Sequence, residues 1–363
     1  RGKVVKMKKL RKFFSVVLCL ALIFSLQGFA FAKSGSTEQT DSYVAKVNGL
    51  YYDTLSEAIN AVEEEGTVEL VADAVLDKKI TIETGKNITL DLGTYIIKSD
   101  GRFFDGNSML FENNGSFTIT GNGRIDAKDG ANPYICIENK SGGQLNILSG
   151  NIIASKNGIR NLGGTLNILG GTIANTSTAA DGEDSAVYAA KGSATVIAGN
   201  AKLSGFNTAL RAYGADVTVS ENAYLSGKFG VMIFNDEADN IESAVPSQLT
   251  MTGGTIEASY GFALSGNNTM SALCSAEITG GTLKSIDDGT AIYWPMEGKL
   301  TVGGNAVVTG GTGIEAKMGT ITIQENATVI GTGAYLEDAP AGGGAQRDRP
   351  HGGERGFLFL LPD

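Results

Sequence analysis

One short phrase recurs along this chain from about residue 88 to residue 331: an apolar-x-apolar run, a tight Gly/Asn turn, then a small residue and an aliphatic one. Leu166-Asn167-Ile168 leads through Gly170-Gly171 to Thr172-Ile173, and Leu249-Thr250-Met251 leads through Gly253-Gly254 to Thr255-Ile256. Leu300-Thr301-Val302 and Ile321-Thr322-Ile323 repeat the pattern with Gly304-Asn305 and Glu325-Asn326 in the turn. A unit this short cannot bury its own apolar face and must stack on copies of itself, so the chain reads as a solenoid and not as a globular enzyme core.

Anchoring each unit on the first residue of its first strand gives Ile88, Phe117, Leu145, Leu166, Thr195, Val217, Leu249, Ala276, Leu300 and Ile321, with spacings from 21 to 32 residues. Val68-Glu69-Leu70 offers one further start. A third run precedes each next anchor: Gly158-Ile159-Arg160, Ala186-Val187-Tyr188, Ala209-Leu210-Arg211, Gly230-Val231-Met232, Gly261-Phe262-Ala263, Ala291-Ile292-Tyr293 and Gly313-Ile314-Glu315. Alternation over three residues means strand. The expectation is an all-β, right-handed parallel β-helix with three strands per coil and about ten coils. Leucine-rich repeats lack the required leucine spacing here, and propeller blades need about 40 residues.

Asn200, Asn222, Asn305 and Asn326 occupy matching turn positions, where Asn tolerates positive φ. Stacked about 4.8 Å apart, their amides are candidates for a hydrogen-bonded ladder, and plain turn chemistry explains them equally well. Thr54-Leu55-Ser56-Glu57 reads as a capping box, followed by Leu55, Ala58, Ile59 and Val62 at helical spacing and Gly66 as a stop. This predicts an N-terminal capping helix over 54–65. The domain layout is then a leader over 1–32, a flexible linker over 33–48, the β-helix over 49–338, and a disordered or foreign tail over 339–363. That tail holds three of the six prolines and the single His, His351.

The segments Thr67-Val68-Glu69-Leu70, Ile80-Thr81-Ile82 and Asn87-Ile88-Thr89-Leu90-Asp91-Leu92, with the helix before them and the GGTI-type and xNAxV-type turns after, resemble the pectin-lyase-like right-handed parallel β-helix superfamily. The resemblance covers about residues 50–336, and its GGTI-rich style is most similar to surface repeat proteins of anaerobic Gram-positive bacteria. It implies a fold; the superfamily includes lyases, hydrolases, adhesins and non-catalytic surface repeats, so it implies no single activity.

Met7-Lys8-Lys9 to Arg11-Lys12, the apolar run over 13–26 and Ala30-Phe31-Ala32 form a secretory signal, the run being too short to span a bilayer. Cleavage after Ala32 removes seven basic and no acidic residues, leaving 29 − 7 = 22 Lys+Arg against 39 Asp+Glu, a net charge of −17. This argues against nucleic acid and anionic membranes as partners and suits a secreted, extracellular or cell-surface location. Cys136 and Cys274 lie about five coils apart, about 24 Å at strand spacing, so both are expected as free thiols.

With no His in the repeats, His-based triads and His metal sites are excluded there. Carboxylates remain. Asp181-Gly182-Glu183-Asp184 and Asp287-Asp288-Gly289 each precede a third run, the latter as a paired Asp does in polygalacturonase-like hydrolases, though without that family's Asn-Thr-Asp, Gly-His-Gly or Arg-Ile-Lys elements. The two turns are four coils apart, about 19 Å, beyond the reach of a glycosidase pair. Solvated turn acids are the plain reading. Such turns offer oxygen ligands for a structural Ca²⁺, but no loop motif is complete, and no cofactor, catalytic residue or metal ligand is assigned.

Period-2 alternation turns Ile159, Val187, Leu210, Val231, Phe262, Ile292 and Ile314 inward, and Arg160, Tyr188, Arg211, Tyr213, Met232, Phe234 and Tyr293 outward. Rings for stacking and guanidinium groups for hydroxyl or carboxylate contact make that outward set a candidate sugar-binding face; aromatic pairs that only stabilise a sheet, or a patch covered by the loop 235–247, would look the same. Trp294 falls in the inward phase but is large for such a position. The expected function is a secreted, non-catalytic, adhesin-like monomer that binds polysaccharide, or a host or neighbouring cell surface. The alternatives are a polysaccharide lyase or glycoside hydrolase acting on a polyuronate, and a structural spacer of a larger wall protein.

Overall fold

Short Val/Ile/Thr-rich runs punctuated by glycine become strands throughout the repeat region. The computed structural model describes residues 43–100, 109–128, 134–177, 184–236, 244–267, 271–286, 288–333 and 356–357. It is all-β apart from one α-helix, with parallel strands stacked in sheets.

Three ladders recur in fixed chain order. The first contains Gln144–Ile147, Thr165–Ile168 and Ala194–Ile197; the second contains Asn151–Ala154, Thr172–Asn175 and Lys202–Ser204; the third contains Asn157–Asn161, Ser185–Ala189 and Thr208–Tyr213. Each strand pairs in parallel with its counterpart one repeat later. The first two ladders form one 22-stranded sheet because Gln248–Ala258 and Ser275–Ser285 run through both; the third is a separate 11-stranded sheet.

The anchors read from the sequence fall in one register: Ile88 opposite Phe117, then Leu145, Leu166, Thr195, Val217, Leu249, Ala276, Leu300 and Ile321. Inward residues of all three ladders join one continuous apolar cluster, in which Leu166, Ile168, Ile173 and Ile159 are fully buried. Cys136 and Cys274 are free and buried there; burial pushes the Cys274 thiol up to about 12 and that of Cys136 further. At the start of the third ladder the buried position is small, as at Gly158, Ala186, Ala209 and Gly230, because the second ladder presses against it. A Cβ on Gly230 would lie 2.4 Å from both the Ala263 carbonyl oxygen and Ile256 Cγ2.

Several expectations need correction. The helix spans only Leu55–Ala61; its capping box of Thr54 and Glu57 is formed, but Val62 is already extended and Gly66 lies inside the strand Glu65–Leu70. Val68 pairs with Leu90, so Gly66 and not Val68 takes the anchor position. The span assigned to a linker contains the strand Ala45–Val47, which pairs antiparallel with Leu50–Tyr52 and with Glu65–Leu70. Asn48 and Gly49, at φ 50° and 82°, make the two-residue hairpin turn that an Asn-Gly pair favours. Within the stretch read as tail, Gly356–Phe357 pairs antiparallel with Thr312–Ala316, whose strand offers open backbone groups on that side; the rest of that stretch lies outside the described residues, as does the leader over 1–32.

The amide ladder occurs, but at another corner. Asn113 Nδ2 donates to Asn139 Oδ1 at 2.7 Å, Asn139 Nδ2 to Asn161 Oδ1 at 2.9 Å, and Asn161 Nδ2 to Thr195 Oγ1 at 3.1 Å, all buried. Each of these nitrogens also donates to a first-ladder carbonyl, of Gln144, Thr165 and Ala194 in turn. Of the expected turn asparagines, Asn222 Nδ2 donates to Asn200 Oδ1 at 3.4 Å on the surface.

Candidate functional site

The third ladder brings most of the outward candidates into one column. Arg160 lies opposite Tyr188, Tyr188 opposite Arg211, and Arg211 opposite Met232. Met232 continues to Ser265 and then Tyr293, while Tyr213 lies opposite Phe234 one step along the same strands. These residues face outward because Ile159, Val187, Leu210, Val231 and Ile292 fill the inward positions of the same strands.

The side chains interlock. The Arg160 guanidinium sits 5.3 Å over the Tyr188 ring. Tyr188 stacks on Tyr213 with centroids 5.3 Å apart, and Tyr213 stacks on Phe234 at 4.6 Å. Arg211 lies 5.9 Å over the Phe234 ring and donates from Nη1 to the Tyr213 hydroxyl at 3.4 Å. A guanidinium on an aromatic face contributes about 0.5–2 kcal/mol, more as water is excluded. The Arg211 Nε is buried with no hydrogen-bond partner among the described residues.

Two inward-outward assignments change. Phe234 has the outward phase but is only 3% exposed, because Tyr213 and Arg211 lie on it, so it supports the column from beneath and offers a ligand no face. Phe262, expected inside, is half-buried outside, since the strand here is Leu264–Ser265 and Leu264 takes the position opposite Val231. Its ring stacks on Tyr293 at 4.7 Å and meets Phe229 at 6.1 Å, and Lys317 lies 5.2 Å over the Tyr293 ring. Phe229 and Phe262 were missed; the signal for Phe262 was the Ala263-Leu264 pair, which repeats the small-then-aliphatic order of Ala186-Val187 two residues later than the Gly-Phe reading. Trp294 is fully buried and its Nε1 donates to the Gly298 carbonyl at 3.2 Å.

Toward the N-terminal side the same column becomes ionic, a group the sequence reading did not single out. Glu112 lies opposite Glu138, and Glu138 opposite Arg160. Lys79 binds Glu112 at 2.9 Å, Lys140 binds Glu138 and reaches Glu112 at 3.9 Å, and Arg160 reaches Glu138 at 3.4 Å. Burial acts to raise the Glu112 carboxyl, but the hydrogen bond and charge of Lys79, with Asn114 and Lys140, hold it below its usual range. An ionised carboxylate shared among cations accepts hydrogen bonds; it does not serve as a proton donor at neutral pH.

The acidic turns contribute little. Residues 181–183 and Asp287 lie outside the described residues; Asp184 is buried and Asp288 is exposed at φ 60°. No group of three or more His, Cys, Asp or Glu among the described residues is placed to hold a metal ion. No helix among them is long and apolar enough to cross a membrane. The loop 235–247 is pinned at its ends, with Ser247 Oγ donating to the Phe234 carbonyl at 2.8 Å and Asp236 N to the Val245 carbonyl at 2.9 Å; its expected role as a cover falls on 237–243, outside the described residues. Comparison with family models, with curated proteins and with solved structures gives no match.

Proposed function

We propose that this chain is a secreted or cell-surface, non-catalytic, right-handed parallel β-helix of the pectin-lyase-like kind, capped at its N-terminal end by the helix Leu55–Ala61, and that it binds polysaccharide along the outer face of the third ladder. One observation carries the reading: Arg160, Tyr188, Arg211 and Met232 stand in register on successive strands, with Tyr213 stacked beside them. Rigid strands hold rings and guanidinium groups at fixed spacing, which is the chemistry that sugar rings and their hydroxyls meet. The fold reading is supported by three ladders visited in constant order around one apolar cluster, and its handedness by the rule for parallel crossovers.

Calorimetric titration with soluble polysaccharides is the test. The expected Kd is micromolar to millimolar, about −4 to −8 kcal/mol. Tyr188→Ala and Arg211→Ala should each weaken binding by about 1 kcal/mol or more, with the melting temperature checked alongside. A broad glycan array without a hit would leave the spacer reading.

A second reading, cleavage of a polyuronate, rests on Glu112 and Glu138 clustered beside Arg160. All three are tied into one ion network, which favours a structural role over acid–base work. Release of unsaturated or reducing sugars from a polyuronate, lost in Arg160→Ala and Arg211→Ala, would establish that second reading in place of the first.

A further inference from the structure

Where the second ladder turns into the third, four consecutive repeats enclose an open cleft of about 440 Å³. Its floor is a second register column. Ser204 lies opposite Ser226, and Ser226 opposite Glu257, all on the outward side of the second ladder. Its wall is the ring of Phe206, 42% exposed, with the Lys228 ammonium 4.7 Å over the ring. Asn175, 5% exposed, lines the inner end. Its Oδ1 accepts from Phe206 N at 2.8 Å and so fixes the aromatic corner, while its Nδ2 is buried with no hydrogen-bond partner among the described residues. A native buried donor of that kind is normally met by a ligand or a bound water.

The chemistry of the lining narrows the ligand. Glu257 is held in place by the Tyr224 hydroxyl, which donates to it at 3.0 Å, and by Lys284 at 3.6 Å. Lys228 and Glu257 are the two charged groups of the lining, and they cancel. Serine hydroxyls both donate and accept, the Asn175 amide donates and Glu257 accepts. One exposed ring beside mixed donors and acceptors, with no net charge, fits a polyhydroxylated ring and fits an anion or a purely apolar group poorly. We propose that this cleft is a binding subsite for one neutral hexose-type sugar unit, stacked on Phe206 with its hydroxyls toward Ser204, Ser226 and Glu257. The site is separate from the third-ladder column and does not depend on that column binding anything.

The test is ligand-observed NMR and calorimetry on the full chain with three neutral probes, maltotetraose, cellotetraose and mannotetraose, and one acidic probe, trigalacturonate. At least one neutral probe should bind at millimolar concentration or below. Phe206→Ala should weaken it by about fivefold to tenfold and Ser226→Ala by about threefold, both at exposed or half-exposed positions where melting temperature can confirm the fold. Leu148→Ala, at an exposed position outside both the column and the cleft, should leave it unchanged. Binding of the acidic probe alone, no binding of any neutral probe, or binding indifferent to Phe206→Ala would each overturn the inference. Loss through Tyr188→Ala without loss through Phe206→Ala would overturn the cleft and leave the column reading standing; loss through Phe206→Ala alone supports the cleft and leaves the column to its own titration with polysaccharide.

Discussion

Two corners of the stack solve the same problem by different means. Between the third ladder and the first, the chain turns around buried side chains: Asn113, Asn139 and Asn161 hand one hydrogen bond to the next and a second to a strand carbonyl. Between the first ladder and the second, it turns through positive-φ residues that are mostly glycine: Gly150, Gly171 and Gly199 take φ of 92°, 75° and 60° against the carbonyls of the turn below, while Glu221 and Glu325 take 56° and 59° in other repeats. The first corner also turns through positive-φ glycines, Gly142 and Gly163 at 81° and 87°, but adds buried polar bonds to them; the second relies on its positive-φ backbone without that amide chain. The first therefore has partners to lose, and the second has room to lose. The exposed asparagines at the glycine corner belong to neither arrangement.

That contrast can be broken in four steps, each measured by urea denaturation of the purified chain. Asn139→Ala should cost the most, about 3 kcal/mol, because it leaves Asn113 Nδ2 and Asn161 Oδ1 short of partners inside the corner, at about 1–3 kcal/mol for each buried group. A loss below 1 kcal/mol would mean that the amides are ornamental. Gly199→Ala should cost less, about 2 kcal/mol, from left-handed backbone strain and from a Cβ placed 2.1 Å from the Leu169 carbonyl oxygen. Gly142→Ala, at φ 81° with nothing within 4 Å of its Cβ, isolates the strain alone and should cost about 1 kcal/mol. Asn222→Ala should change stability by less than about 0.5 kcal/mol, since its bond to Asn200 is long and solvated. If Asn222 and Asn139 cost the same, the two corners are not different in kind.

The parts of the fold readable in advance were those set by period. A three-residue apolar alternation returns every repeat, and its ten anchors fall in one register because a slip by one residue would turn every inward side chain out. What period does not carry was misplaced. Asn at a turn was visible, but surface Asn200 and buried Asn139 look alike in sequence; only the ladder that each follows decides whether its amide meets water or another amide. The Asn48-Gly49 hairpin was legible from two residues and was passed over for want of long alternation around it. At the candidate site, phase gave the outward set correctly for Arg160, Tyr188, Arg211 and Met232. It failed at Phe262, where the third strand begins later than its neighbours, and for Phe234 phase said outward without saying covered. The Ser204–Ser226–Glu257 column and its cleft were not legible, since a corner cavity depends on four turns of different length lying against one another.

Register has a metric consequence. Because strands one repeat apart stand about 4.8 Å from each other, any row of outward groups is a ruler with that division along the axis of the ladder. Tyr188, Arg211 and Met232 are successive marks on it. A filamentous partner whose own repeat is commensurate with the division meets the same chemistry again at each interval, while one that is incommensurate slides out of phase within a few units. Selectivity for a polymer can thus reside in pitch as much as in any one contact, and adding or removing a whole repeat changes how far the ruler reaches without changing its scale.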